Sequence, residues 1–255
     1  RFLENSTSQV HSLRYFKYNM FNFENISAYI RYSRELETIK NRALLFGVNQ
    51  ISSSENMNSN FPDETFSASG NYGRSFARYY KANFRAGFNW SKSNNIRVYP
   101  DGDANPNNNP TELQTIESYS QSYNLSFSTN YKTLPNLTLG YNFSINDNFS
   151  DVIYIDSPTV TLEYFFLDAF SFVSEYSYFH NRNKAKTIDS EYDFLTASLL
   201  YQKKGSKWEW KLSGTNLLDT KSLDTNSFIQ LGGTSSFSSY RVQPRFVILS
   251  LKYTL

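Results

Sequence analysis

Apolar and polar residues alternate with a period of two in segment after segment of this chain, as they do in strands that meet apolar surroundings on one face and polar surroundings on the other. Val160, Leu162, Tyr164 and Phe166 fall on one side of their segment, and Asp193, Leu195, Ala197, Leu199 and Tyr201 fall on one side of theirs. Trp208, Trp210 and Leu212 alternate with Glu209, Lys211 and Ser213. The closing stretch sets Val247, Leu249, Leu251, Tyr253 and Leu255 against Phe246, Ile248, Ser250, Lys252 and Thr254. The pattern predicts about twelve strands, near 10–23, 26–35, 41–51, 63–76, 79–92, 115–131, 136–148, 158–167, 169–181, 191–203, 207–217 and 245–255. The one helical periodicity, over Glu35 to Phe46, is short and weak.

The links between these segments alternate too. Short ones are predicted at Arg74–Tyr79, Lys132–Asn136, Phe166–Phe170 and Lys203–Lys207, and long ones at 52–62, 93–114, 149–157, 182–190 and 218–244. Barrels that cross an outer membrane have short periplasmic turns and long extracellular loops. The expected fold class is therefore all-β, a transmembrane antiparallel β-barrel whose last strand ends in the periplasm. A lysine such as Lys252 within an apolar stretch costs little facing a wet lumen and several kcal/mol facing lipid, about 2–4 at mid-depth.

Composition sharpens this picture. The 22 Phe and 20 Tyr bring aromatics to 18%, yet the mean hydropathy is only -0.55. A helical membrane protein needs apolar runs of about 18 residues or more, and the sequence has none. A barrel reconciles the two facts, because only alternate residues face lipid while aromatic girdles mark the interfaces. Lys plus Arg is 25 and Asp plus Glu 23, a net +2, which leaves no electrostatic footprint for nucleic acid. The absence of cysteine excludes disulfides and thiolate metal sites. Arg1 to Asn5 lacks a basic segment leading into an apolar one, so either an export signal has been removed or, the reading preferred, the chain lies far downstream of it.

The tail carries a family resemblance. Trp208 to Lys221 includes Asn216-Leu217-Leu218-Asp219-Thr220-Lys221, and the chain closes on Tyr240 to Leu255. These stretches resemble the end of TonB-dependent outer-membrane receptors, whose penultimate strand exits through an Asn-Leu-Phe/Leu-Asp/Asn-x-Lys signature. Their final strand carries a signal read by the barrel-assembly machinery, alternating hydrophobes that end in an aromatic residue, usually Phe. Val247, Leu249, Leu251 and Tyr253 fit that signal, whereas Leu255 departs from it. Tyr15 to Phe23 is similar to mid-barrel strands of the same group. The resemblance implies a barrel of about 22 strands closed by a plug. Residues 1–255 would be its C-terminal portion, without plug, signal peptide or TonB-binding box. It implies nutrient uptake driven through TonB, with this segment as barrel wall and the links 93–114 and 218–244 helping to capture cargo. The implied partners are outer-membrane lipid, the remaining barrel and plug, the assembly machinery and TonB itself, reached through the missing N-terminal part. A surface lipoprotein is a further partner to test for. The implied location is the outer membrane of a Gram-negative bacterium. No enzymatic role and no cofactor are expected. The rival readings are a self-contained twelve-stranded pore or membrane hydrolase and a soluble, secreted β-rich binding protein.

Four features invite a chemical reading. Asp101, Asp103 and Asn105 with Glu112 have the one, three, five and twelve spacing of a calcium loop. Pro106 stands where that loop needs Gly, and no helices flank it, so a solvated loop tip is favoured over a metal site. His11 and His180 are the two histidines; a hydrolase needs one paired with Ser or Asp, and the rim placement of His180 favours a structural role. The glycosylation-like triplets Asn124-Leu125-Ser126 and Asn142-Phe143-Ser144 fall inside predicted strands, where a glycan does not fit. Trp208, Trp210, Tyr79, Tyr80, Phe170 and Phe172 cluster beside short links, the expected place of a periplasmic aromatic girdle.

Overall fold

The computed structural model describes residues 6–46, 51–59, 61–98, 111–148, 151–184, 186–229, 234–241 and 243–254. Its elements are strands: β1 (Thr7–Asn19), β2 (Glu24–Phe46), β3 (Ile51–Ser59), β4 (Asp63–Phe76), β5 (Tyr80–Val98), β6 (Thr111–Thr129), β7 (Asn136–Asn148), β8 (Asp151–Phe166), β9 (Phe170–Asn183), β10 (Asp189–Tyr201), β11 (Trp208–Thr215), β12 (Ser222–Ile229), β13 (Thr234–Arg241) and β14 (Phe246–Tyr253). Twelve form one sheet, in the order β1-β2-β4-β5-β6-β7-β8-β9-β10-β11-β14 with β3 against β2, while β12 and β13 make a separate ribbon. Sequential neighbours pair antiparallel, as hairpin connections require. One short parallel contact joins Arg42–Leu44 of β2 to Ile96–Val98 of β5. By backbone proximity the chain divides into two compact units, one of Arg1–Tyr15, Ala28–Ser69 and Phe88–Ser120, the other of Phe16–Ser27, Gly70–Gly87 and Gln121–Leu255.

The predicted elements recur with corrections. The segment 63–76 matches β4 and 136–148 matches β7. The segments 26–35 and 41–51 are not two strands, because β2 runs unbroken from Glu24 to Phe46, through the stretch given a weak helical reading. Three strands fall in predicted long links: β3, all but its first residue, in 52–62, and β12 and β13 in 218–244. The expected link 149–157 is mostly the start of β8. The reason is common to all of them. A strand is held by backbone pairing, and one with similar surroundings on both faces leaves no period-two trace. Ile51–Ser59 reads ISSSENMNS, without alternation, yet pairs residue for residue with Thr38–Phe46.

Within the second unit, the links 20–23, 77–79, 130–135, 167–169 and 202–207 lie at the end of the sheet where β14 also finishes. Two are tight turns with two consecutive left-handed residues, Ala77 and Arg78 (φ 47° and 65°) and Leu167 and Asp168 (φ 52° and 53°). Such turns twist with the strands they join. In the 130–135 link, Asn136 receives the Tyr131 amide at 2.5 Å and donates to the Tyr131 carbonyl at 3.1 Å, which closes the loop without glycine.

The exit from β11 is built around Asn216, fully buried and left-handed at φ 51°. Its amide donates to the carbonyls of Thr220 (2.8 Å) and Gln243 (2.9 Å), and its carbonyl accepts the Thr220 amide at 2.9 Å. Thr220 in turn bonds the Asp193 carbonyl, and Leu217 donates to Leu195 at 2.9 Å. One side chain thereby ties the β11 exit to the segment entering β14. Asn216→Ala strands three backbone groups and leaves Ala in a left-handed conformation, so it should destabilise the protein by about 2 kcal/mol. Lys221→Ala on the exposed side of the same turn should cost less than about 0.5 kcal/mol. Urea midpoints of the two variants in the full-length protein check this, and equal midpoints would refute the role given to Asn216.

Candidate functional site

The register sorts the side chains of the second unit into two faces. Tyr164 lies opposite Phe172, Phe172 opposite Leu199, Leu199 opposite Leu212 and Leu212 opposite Leu249, one apolar row across β8, β9, β10, β11 and β14. Leu139, Val160, Tyr176 and Leu195 make a second row. Behind them, Thr138, Thr161, Glu175 and Thr196 form a polar row on the other face. At the tail, Val247, Leu249, Leu251 and Tyr253 stand beside Gly214, Leu212, Trp210 and Trp208, while Lys252 faces Glu209 and Ser250 faces Lys211. This is the alternation expected from the sequence; Leu255 lies outside the described residues.

The apolar face is bare. Val247 is 62% exposed, Leu249 66% and Leu251 51%. Among the described residues, the buried apolar side chains are Ile116 and Ile153 alone. In water, each exposed side chain of this size forgoes roughly 1.5–3 kcal/mol of burial. A soluble sandwich avoids that loss by packing a second layer over the face, and no such layer covers the β14 row among the described residues.

The chemistry of the apolar face changes along the strands. At the short-turn end lies a line of rings. Tyr164, Phe166, Phe170 and Tyr201 follow one another at centroid spacings of 5.1, 5.3 and 4.7 Å, and Trp208 meets Tyr253 at 4.7 Å. Phe76, Tyr80, Phe127 and Tyr131 form a second cluster, in which the Tyr131 hydroxyl donates to that of Tyr80 at 2.7 Å. At the opposite end, charges take over. The Tyr141 hydroxyl donates to Asp156 at 2.5 Å, and Arg182 reaches the other Asp156 oxygen at 2.6 Å. Arg182 also donates to His180 Nδ1 at 2.9 Å, and His180 Nε2 meets Asp189 at 2.6 Å. Tyr178 donates to Glu191 at 2.8 Å. Both nitrogens of His180 are thus occupied, by Asp189 and Arg182, and among the described residues no serine sits on either. His11 is exposed on β1. In the first unit, Tyr32 and Arg34 approach one oxygen of Glu64 at 3.2 and 3.4 Å, the same combination of phenol, acid and guanidinium.

The polar face is built from asparagine and serine. Asn71 donates to Asn25 at 2.9 Å, Asn83 to Ser126 at 3.3 Å, and Asn124 to Asn142. A Cβ added to Gly73 would lie 2.6 Å from Asn83 Oδ1 and 2.8 Å from Asn25 Oδ1, so glycine lets these amides lie across the backbone. The first unit repeats the theme: Asn89 donates to Ser120 at 3.4 Å, and Ser91 bonds Ser118 at 2.7 Å. Asn124 and Asn142, the glycosylation-like positions, bond each other inside the sheet. A hollow of about 140 Å³ opens on this face beside Arg85. The sequence reading missed both the amide ladder and Arg85; the signal was Asn and Ser recurring at alternate positions, as in Ser122, Asn124 and Ser126.

The calcium-loop residues Asp101, Asp103 and Asn105 lie outside the described residues, as does the side chain of Glu112, whose backbone opens β6. Among the described residues no group of three or more acids and histidines is placed to hold a metal.

An antiparallel sheet with one bare apolar face and one polar face belongs to the class from which outer-membrane barrels are built. No known protein family matches the chain, and no curated protein does. Among solved structures, the chain is similar to the siderophore receptor PirA from Acinetobacter baumannii, with 10% identity and a TM-score of 0.43 over 96% of this chain and 41% of that one. It is also similar to the ferric-catecholate import receptor Fiu from E. coli K12, with 11% identity and a TM-score of 0.29 over 97% of this chain and 52% of that one. The chain therefore spans about two fifths of the first receptor and about half of the second.

The two faces should respond oppositely to charge. In the full-length protein in phospholipid vesicles, Leu139→Arg should cost about 2–4 kcal/mol, and Thr138→Arg, one residue away on the polar face, close to nothing. Urea unfolding in vesicles reads the difference. Equal losses would mean that the two faces do not meet different solvents.

Proposed function

We propose that this chain is part of the wall of an outer-membrane transport barrel of the TonB-dependent receptor type, in a Gram-negative bacterium. Its apolar face meets lipid and its polar face lines the passage. The observation that carries the reading is the height of the bare apolar band. Phe166, in the ring row, and Asp156, in the charged rim, stand ten positions apart on β8. At about 3.3 Å per residue and a tilt near 40°, that separation projects to roughly 25 Å, the height of the apolar band of such barrels. The rings then lie at the periplasmic interface and the ion pairs at the outer one, where phenols and charges meet headgroups.

β1 and β14 end the sheet. In lipid, an open edge leaves a row of backbone groups unpaired, each costing several kcal/mol. The reading therefore places further strands of the same barrel against β1 and β14, with residues 1–255 as the C-terminal portion. Val247, Leu249, Leu251, Tyr253 and Leu255 serve as the assembly signal. TonB acts through a region outside this chain.

Two measurements test this. The full-length gene product should fractionate with the outer membrane, migrate as a compact species before boiling, and bind the periplasmic domain of TonB. Residues 1–255 expressed alone should give no compact, heat-modifiable species. Recovery of a compact pore from residues 1–255 would sink the shared-barrel assignment, and a full-length protein soluble without detergent would sink the membrane assignment.

A further inference from the structure

The hollow on the polar face has an unusual balance of groups. Its polar lining is Arg85 of β5, Ser122 and Asn124 of β6, Asn142 and Ser144 of β7, and Ser157 of β8, with Tyr123, Phe143 and Ile155 as the apolar remainder, and it holds about 140 Å³. No carboxylate among the described residues lines it. Arg85 is exposed and makes no ion pair or hydrogen bond among the described residues. Asp151 and Glu163, the acids on the same face of β8, each lie six positions from Ser157, roughly 20 Å along the strand. That exceeds the Debye length of about 8 Å at physiological salt, so neither neutralises Arg85.

The hydrogen-bonding groups point the same way. Asn124 donates to the Asn142 carbonyl, which occupies that acceptor and leaves the Asn142 amide hydrogens free. Arg85 offers five N–H donors in a fixed fork, and three serine hydroxyls complete the wall. A hollow rich in donors, with one uncompensated cation, is complementary to a group with several acceptor oxygens and a negative charge.

We propose that this hollow is a subsite for a soluble oxyanion, a phosphate or carboxylate group borne by molecules that enter the barrel. The proposal rests on the reading that the polar face lines a passage, and it adds the charge class of what passes. The guanidinium takes two oxygens of the anion, and the Asn142 amide and neighbouring hydroxyls take the others. The neutral amides around it bind weakly enough to release the group again.

The test uses the full-length protein in detergent, titrated with inorganic phosphate and with acetate at constant ionic strength set by chloride, and read by thermal unfolding and by phosphate line broadening. The wild type should bind phosphate with a millimolar dissociation constant. Arg85→Gln should weaken it at least tenfold, Arg85→Lys should retain part of it, and Lys184→Gln, on an exposed link, should change nothing. A response to acetate that Arg85→Gln abolishes extends the subsite to carboxylates. Phosphate binding that survives Arg85→Gln overturns the proposal. So does a wild type blind to both anions whose Arg85→Gln variant is itself destabilised, which assigns Arg85 to an acid elsewhere in the polypeptide. Heat modifiability is read on the same samples: a compact membrane barrel that binds neither anion defeats only the subsite, whereas a detergent-independent protein defeats the barrel reading with it.

Discussion

Everything in this molecule follows from the pairing of backbone groups between strands that carry one apolar and one polar face. In hydrocarbon no water is present to satisfy an N–H or a C=O, so each strand must find partners along its whole crossing. That requirement fixes the register, and the register fixes which side chains share a face. A slip of one residue in β8 would place Thr161 and Glu163 among Leu139, Tyr176 and Phe172, and would carry Val160 and Leu162 to the polar side. The apolar set stays together across β7, β8, β9 and β10; a soluble sandwich would keep such a face too, but beneath a second layer, and among the described residues none covers the β14 row. The two buried aliphatic side chains among the described residues fit this view. On the proposed reading, lipid supplies the stabilising apolar burial.

The apolar face is graded along its length, and the gradient limits vertical freedom. Rings at the short-turn end tolerate both hydrocarbon and headgroups, being flat and apolar with a polar tip in Tyr and Trp. The charged end is held differently. Asp156, Arg182, His180 and Asp189 form a continuous chain of ion pairs and hydrogen bonds across β8, β9 and β10, with Tyr141 of β7 joined to it. Isolated surface pairs contribute little, typically below about 1 kcal/mol. A linked series whose Asp156 side chain is only 15% exposed is better placed to contribute, because each member fixes the geometry of the next. In the proposed membrane setting, moving the sheet toward the lipid would desolvate that chain, and moving it away would strip hydrocarbon from the Leu and Val rows.

What the sequence revealed tracks this separation of solvents. Where the faces differ most, alternation was legible to the residue: Trp208, Trp210 and Leu212 share a face with Val247, Leu249 and Leu251, as expected. Where the contrast fades, the reading failed. β3 pairs along its full length with β2 on a sequence of serines and asparagines, and the β12–β13 ribbon lies inside what read as a loop. The Asn216 turn stood midway. Its residues were noticed as a motif, but the physical content of the motif, a buried amide bonded to Thr220 and Gln243, needed three-dimensional proximity. The amide ladder was hidden for another reason. Asn and Ser are so frequent in this chain that their alternation on one face is invisible until the register puts Asn124 beside Asn142.

The composition of the polar face has its own logic. A face meant only to tolerate water could carry any polar residue, and dense charge would serve. Here most of the wall between β2 and β8 is neutral, and its amides and hydroxyls satisfy one another at distances such as 2.9 Å for Asn71 with Asn25 and 3.3 Å for Asn83 with Ser126. Each such bond has a net worth of about 1 kcal/mol and exchanges readily with water. A surface of this kind is wet without gripping what touches it, as a passage requires. Glycine at position 73 supports the same arrangement by removing the side chain that would lift Asn25 and Asn83 off the wall. Against so uniform a background, Arg85, with Lys81 four positions along the same face of β5, carries the positive charge of that stretch of wall. The sheet is held by its backbone and the amides satisfy one another without it, which leaves the guanidinium open to the hollow that it lines.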